Sequence, residues 1–306
     1  MGSDPISQKM VPKLMSDIAQ VPRNEMELRH HFQEMGSDPN WVADLRLRFG
    51  TRADFPGTVL LERRHVGPLV VQRPFHPEGD PCHVYIVHPP GGVVGGDELS
   101  IHVTVDPRAH ALITTPAATK FYRCDGRRSS QTQELRVTDA TLEFLPQENI
   151  FYRGADVRTA TRIHVDATSR FIGWEIACLG LPARNEPFDA GRLALDLELW
   201  RDDPVFIDRL RLAGESTARR AAWGLAGHEA VGTLLATPAT PADLDAVREL
   251  VANHPFAAVS VVDRVLVLRA LAAQAAPIRE LFVAAWRVLR PAILGRPAHP
   301  PRIWST

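Results

Sequence analysis

Asp97, Glu98 and Glu143 are carboxylates in or beside β-like segments, and two carboxylates held on rigid strands can act as a general acid/base pair. His88, His102 and His110 follow one another along the chain and could cluster, although a histidine within a β segment is more often a satisfied structural residue. Cys82, Cys124 and Cys178 are the only cysteines; none forms a CxxC pair, which points away from a zinc ribbon or a disulfide framework and toward a reducing compartment. Cys82 and His83 are neighbours and so project to opposite faces of a strand, which argues against a shared metal site. The motifs G-x-S-x-G and H-E-x-x-H are absent.

One loop invites a ligand. "HVYIVHPPGGVVGGDELSIHVTV", residues 83–105, sets Pro89, Pro90, Gly91, Gly92, Gly95, Gly96 and Asp97 between two strand-like segments, directly after His88. It does not match G-x-x-x-x-G-K-[ST] or G-x-G-x-x-G, and strand rather than helix follows it. A phosphate cradle, which needs a helix N-terminus behind the loop, is therefore excluded. The plain reading is a wide turn, with Pro89–Pro90 stiffening the strand exit and the glycine pairs allowing positive φ. That reading leaves unexplained why a carboxylate, Asp97, stands at a fixed point beside backbone that can approach another surface closely.

The elements around these residues read as stacked strands. From Asp44 to Leu212 the dominant period is two: "SIHVTVD" puts Ile101, Val103 and Val105 on one face and His102 and Thr104 on the other. "HALITT", "QELRV", "TLEFL", "RIHVDA", "FIGWEIACL", "LALDLELW" and "VFIDRLRL" continue the pattern with Gly, Pro and Asp between them, and no β/α alternation precedes residue 240. Then "TPADLDAVRELV" predicts a helix with Thr240 as N-cap, Pro241 in the first turn and Asp243 three residues after the cap. "AAVSVVDRVLVLRAL" reads as strand. A second helix is expected from Pro277, with Ile278, Leu281, Phe282, Ala285, Val288 and Leu289 as its apolar stripe and Pro291 as its limit. The expected fold class is mainly β with about two helices near the C-terminus.

The chain has 306 residues, 45% hydrophobic and 23% charged, with a formal net charge of -1. This is ordinary globular composition, and the near-neutral charge argues against nucleic-acid binding. No run of about 18 apolar residues suggests a membrane span, and the expected location is the cytoplasm. "MGSDP" occurs at residues 1–5 and again at 35–39, so residues 1–39 read as a leader, flexible or an artefact of cloning, in which "RNEMELRHHF" could form a helix. Residues 40–306 are expected to form a single domain.

Four segments, taken together, carry a resemblance: "HVGPLVVQRPFHPEGDPCHVYIVHPPGGVVGGDEL", "LITTPAATKFYR", "LEFLPQENIFYRGA" and the terminal "PPRIWST". In that order they strongly resemble the UreD/UreH family of urease accessory proteins, from about residue 41 to Thr306. The resemblance implies an extended, β-helix-like stack of sheets with a small helical part. It also implies a non-enzymatic scaffold that helps insert nickel into apo-urease, with nickel in transit rather than tightly bound. The implied partners are a UreF-type accessory protein, a UreG-type GTPase reached through it, and apo-urease itself. An internal water-filled passage is proposed in the family, and its residues map onto Asp97, Thr119, Glu175 and Asp208.

Each of these four has a plainer reading: Asp97 as a turn cap, Thr119 as an ordinary strand or turn residue, Glu175 facing solvent beside Trp174, and Asp208, which precedes Arg209, in a surface ion pair. Ala117 stands where many relatives have Gly, and Leu181 and Asn185 stand where Arg and Gly are expected. Two other functions compete. A β-solenoid carbohydrate-active hydrolase or lyase could pair carboxylates among Asp97, Glu98 and Glu143, but aromatics at only 7% give no sugar-binding row. A nickel store is disfavoured by the lack of a His-rich tract.

Overall fold

The computed structural model describes residues 40–305. The expected leader at 1–39, with its candidate helix, and Thr306 lie outside the described residues. The strands are β1 (Val42–Arg52), β2 (Phe55–Val66), β3 (Val70–Val71), β4 (Cys82–Val87), β5 (Glu98–Val105), β6 (His110–Thr114), β7 (Thr119–Phe121), β8 (Ser129–Val137), β9 (Thr141–Leu145), β10 (Asn149–Phe151), β11 (Asp156–Val165), β12 (Arg170–Leu179), β13 (Arg192–Trp200), β14 (Pro204–Ala213), β15 (Ala230–Thr237), β16 (Ala257–Val262) and β17 (Val265–Ala272). Among the described residues two α-helices lie toward the C-terminal end, α1 (Pro241–Val251) between β15 and β16 and α2 (Ala275–Leu289) after β17.

Successive strands alternate between two sheets. β5, β8, β11 and β13 lie side by side and parallel in the first sheet, which antiparallel β1–β2 and β13–β14 pairs close at its two edges. β4, β6, β9 and β12 run parallel in the second, which continues antiparallel through β15, β17 and β16. Short β7 and β10 form a third side of the coil and stack Phe121 on Phe151 with ring centroids 5.0 Å apart. This is the β-helix-like stack expected from the sequence, with its helices near the C-terminus.

Burial explains the two kinds of strand. The first sheet faces the core on one side and solvent on the other, so β5 and β8 alternate strictly. The second sheet is sandwiched between the first sheet and the helices, so β6 is buried at every position. Ion pairs such as Arg162–Glu198 and Arg209–Glu198, and the contact of His102 with Asp44, cover the solvent face of the first sheet.

α1 begins as the sequence predicts: Thr240 Oγ1 accepts from the Asp243 amide and the Asp243 carboxylate accepts from the Thr240 amide at 2.8 Å, a complete capping box. Two expectations are corrected. "AAVSVVDRVLVLRAL" is a hairpin, β16–β17, because Asp263 and Arg264 both take positive φ, 45° and 60°, the backbone of a tight two-residue turn. The second helix starts at Ala275 rather than Pro277 and its buried stripe includes Trp286; it ends at Leu289, within the limit expected from Pro291. The chain runs on through a π-helical turn, Arg290–Leu294, whose wider winding tolerates the proline, and stops at Gly295 with φ 67°. At another departure, Asn185 takes φ 57° after a 3₁₀ turn, a left-handed position that asparagine tolerates nearly as well as the expected glycine.

Candidate functional site

β12 changes partner midway. It pairs with β9 as far as Gly173 and with β10 only from Ala177, because Pro146, Gln147 and Glu148 lead the chain away between them. Residues 174–176 are thus left without a ladder neighbour on that side. Alternation sends Trp174 and Ile176 toward the helices and Glu175 into the space between the sheets. The solvent-facing position considered for Glu175 is thereby corrected: in a strand packed on both faces, alternation only chooses which layer a side chain enters.

Two cavities meet there. One, about 230 Å³, is lined by His88, Gly91, Gly92, Thr119, Gln131, Gln133 and Glu175 among others. A smaller one, about 40 Å³, is lined by Glu175, Thr159, Thr233, Asp208 and Arg269. Asn149, Glu175 and Ile176 belong to both walls. Glu175 keeps partial accessibility although packed between sheets, and its open surface faces these cavities. Burial pushes its carboxyl up to about 7; the hydrogen bond donated by Thr161 Oγ1 opposes this, and the negative charges of Asp208 and Asp196 add to it.

Asp208 also points inward from β14, away from its neighbour Arg209. Its ion pair is with Arg269 of β17, at 2.7 Å, and not with Arg209, which bonds Glu198 on the opposite face. Beyond Arg269 the wall continues into a third cavity, about 380 Å³, that shares Leu210, Val231 and Arg269 with the second. It opens beside Trp223 and Phe256, which are 77% and 50% exposed.

The glycine loop forms the other end. Its Val93 amide donates to the Lys120 carbonyl at 2.7 Å, and the Tyr122 amide donates to the Val93 carbonyl at 2.8 Å, so the loop is stitched to β7. A side chain at Gly92 would collide with the Tyr122 ring, and Gly96 combines φ 92° with close approach to Asn40. The close approach that the sequence suggested is therefore to the chain itself. Asp97, only 4% exposed, accepts hydrogen bonds from the Val94 amide at 2.9 Å and the Trp41 amide at 3.0 Å, and does not line the cavities. His88 lines the first cavity, and burial lowers its pKa while the nearby Asp97 carboxylate pulls it back up. Thr119 begins β7 at the same cavity. Ala117 is exposed and has no positive φ, so the backbone there does not need glycine.

The three histidines are separated: His88 lies at the cavity, His102 on the solvent face 3.3 Å from Asp44, and His110 beneath the helices. The carboxylates proposed as an acid/base pair do not meet either. Asp97 is a turn cap, Glu98 is exposed, and Glu143 is locked away by Arg290, Trp286 and His110, which removes the basis for the hydrolase alternative. Glu143 accepts from Arg290 Nε at 3.0 Å, Trp286 Nε1 at 2.6 Å and His110 Nε2 at 2.8 Å. Arg290 is fully buried and also reaches Glu78, which in turn meets His83 at 2.9 Å. This lock was not foreseen from sequence. Among the described residues no group of three or more His, Cys, Asp or Glu is placed to hold a metal, and no helix is long and apolar enough to cross a membrane.

Comparison with known proteins follows the same line. The family model described as UreD urease accessory protein matches residues 42–305. The chain is 44% identical to Urease accessory protein UreD of Enterobacter sp. (strain 638) over 270 residues, covering 87% of this chain and 96% of the relative. It is 42% identical to Urease accessory protein UreD of Pseudomonas putida (strain GB-1) over 285 residues, covering 92% and 100%. With the protein of that name from Klebsiella aerogenes it shares 44% identity over 270 residues, covering 87% and 97%. The chain belongs to the UreD family of urease accessory proteins.

Proposed function

We propose that this UreD-family protein is a urease maturation factor that passes nickel toward apo-urease through the cavities between its sheets and catalyses no reaction itself. The observation that carries the reading is Glu175, a carboxylate set where two cavities share a wall, with Thr119 on the first and Asp208 on the second. Sparse oxygen donors suit a cation in transit, because nickel is held tightly by imidazole and thiolate but weakly by isolated carboxylates and hydroxyls. In this reading Asp97 shapes the entrance loop and does not touch the cation. The name shared by the relatives supports urease as the destination. The partners are a UreF-type protein, a UreG-type GTPase bound through it, and apo-urease, met in the cytoplasm, with residues 40–306 acting as one domain.

The test is activation of urease in cells lacking their own scaffold gene, comparing wild type with a Glu175→Ala, Asp208→Asn double variant. The expected result is a variant that still captures the UreF-type partner and apo-urease but leaves urease inactive. Equal activation by both proteins overturns passage and leaves a scaffold alone.

A further inference from the structure

The outer face of the first sheet carries more guanidinium than carboxylate over its β11, β13 and β14 strands. Arg158, Ala194 and Arg211 share one cross-strand row, Ala160, Asp196 and Arg209 the next, and Arg162, Glu198 and Ile207 the third. Asp156 meets Arg128 at 2.7 Å and Arg192 at 2.6 Å. Asp196 meets Arg158 at 3.5 Å, Arg209 at 3.9 Å and also Arg211, and Glu198 meets Arg162 at 3.1 Å and Arg209 at 3.4 Å. Six arginines therefore stand over three carboxylates. The acid side chains are 8–12% exposed and the arginines 47–69%. Each guanidinium is thus fixed from beneath and keeps donors to spare on its open side. Glu134, at the edge of the patch, is matched by Arg136 at 3.7 Å. On β1 of the same sheet the signs balance, Arg46 with Asp44 and Arg48 with Asp106.

We propose that this face docks an acidic surface of a partner protein, whose carboxylates take up the spare guanidinium donors. Like charges on neighbouring strands disfavour the sheet, so the excess of arginine does not serve the fold. Acids on the partner would complete the balance that β1 already has within the chain. The patch also has an apolar centre. Ile207 is 46% exposed, and Trp200, at the end of β13, lies under Arg162 with its ring centroid 5.7 Å from the guanidinium carbon. Arginine and tryptophan around an exposed aliphatic side chain are the composition of a protein interface. Phosphate backbone would find three buried carboxylates beneath the arginines and, over the whole chain, a formal net charge of -1, which does not suit nucleic acid. Four strands and eight residues give a patch about 14 Å by 26 Å, enough for the centre of an interface of ordinary size. The proposal rests on the reading of the chain as a member of an assembly. It does not depend on passage, because this face lies across the sheet from the cavities.

The experiment measures association and dissociation rates of the full chain with apo-urease and, separately, with the UreF-type protein, at several salt concentrations. Wild type is compared with an Arg192→Gln, Arg211→Gln double variant, with Ile207→Thr, and with an Arg46→Gln, Arg48→Gln control on β1. The first variant leaves Asp156 with Arg128 and Asp196 with Arg158 and Arg209, and threonine keeps the β-branched shape of isoleucine. The proposal expects the double variant to associate with one of the two proteins about tenfold more slowly and with a shallower salt dependence. Ile207→Thr should dissociate faster from that same protein with the salt dependence unchanged, and the β1 control should match wild type. Wild-type rates for the double variant and Ile207→Thr with both proteins would overturn the docking face and leave the assembly reading intact. So would an equal loss in the β1 control, or wild-type binding to a DNA duplex that the double variant loses while its rates with both proteins are unchanged. Failure of the wild type to capture either protein would overturn the assembly reading, and the docking face with it.

Discussion

Two glutamates on opposite faces of the second sheet have opposite fates. Glu143 on β9 faces the helices and is met by a guanidinium, an indole and an imidazole, so its burial is outweighed and its carboxyl is held below the usual range. Glu175 on β12 faces the first sheet and is met by one hydroxyl beside a cavity, so burial prevails and its carboxyl rises. A buried carboxylate met by a guanidinium and two further donors is a fastener, whereas one with a single neutral donor and open space beside it is left without a charged partner. The same residue type thus closes one side of the sheet and opens the other.

The largest test of this contrast is on the fastener. Arg290→Met leaves Glu78 and Glu143 buried without their cation and should cost about 3–5 kcal/mol, read as a lowered denaturation midpoint or as loss of cooperative unfolding. A mild loss, under about 1 kcal/mol, would mean that the lock is dispensable. The acid side of the same lock has a defined window. Burial raises the Glu78 carboxyl, but hydrogen bonds from His83 and Arg290 outweigh it and hold it at about 2, below the ordinary 4.5. The stability it contributes is present above pH 4.5 and is lost as pH falls through about 2, and Glu78→Gln should flatten that part of the curve.

Glu175 should behave with the opposite sign. Its folded pKa of about 7 lies above the ordinary 4.5, so the folded state binds the extra proton and stability falls as pH rises between those values. Glu175→Gln should therefore stabilise the chain by about 2–3 kcal/mol at pH 8 and hardly at all at pH 4. Denaturation at the two pH values checks it, and equal effects at both would show that the carboxyl titrates normally. Asp97→Asn is the smallest of the set. An amide accepts with one oxygen only, so one of the two backbone bonds from Val94 and Trp41 is lost, at about 1–2 kcal/mol. Thermal unfolding should record that loss, while urease activation by the folded variant stays near wild type.

Local features were legible in the sequence where one short-range rule governs them. The Thr240–Asp243 cap, the alternation of β5 and the glycine loop are of this kind, and the family's motifs named Thr119, Glu175 and Asp208 as a set that the fold gathers around adjoining cavities. Asp97, from the same motifs, is engaged by backbone amides. The lock was illegible because Arg290 lies 147 residues from Glu143 and 212 from Glu78, and nothing local marks an arginine after a helix as fully buried. Gln133 and Thr161 were hidden for another reason. In "SSQTQELRV" and "DVRTATRIHV" polar residues fall on both faces, so hydrophobic periodicity does not show which of them point inward. The hairpin at Asp263–Arg264 lacks the glycine that usually announces such a turn.

The most direct measurement of the central claim is the nickel content of urease assembled with full complexes that carry wild type, Glu175→Gln or Thr119→Trp. The first substitution removes the carboxylate where the cavities share a wall, and the second fills part of the first cavity while leaving Glu175 in place. Passage between the sheets predicts intact complexes and nickel lowered on the order of tenfold by both, equivalent to a barrier raised by about 1.4 kcal/mol. Undiminished nickel from both variants in intact complexes would contradict it and place the route of nickel outside this protein.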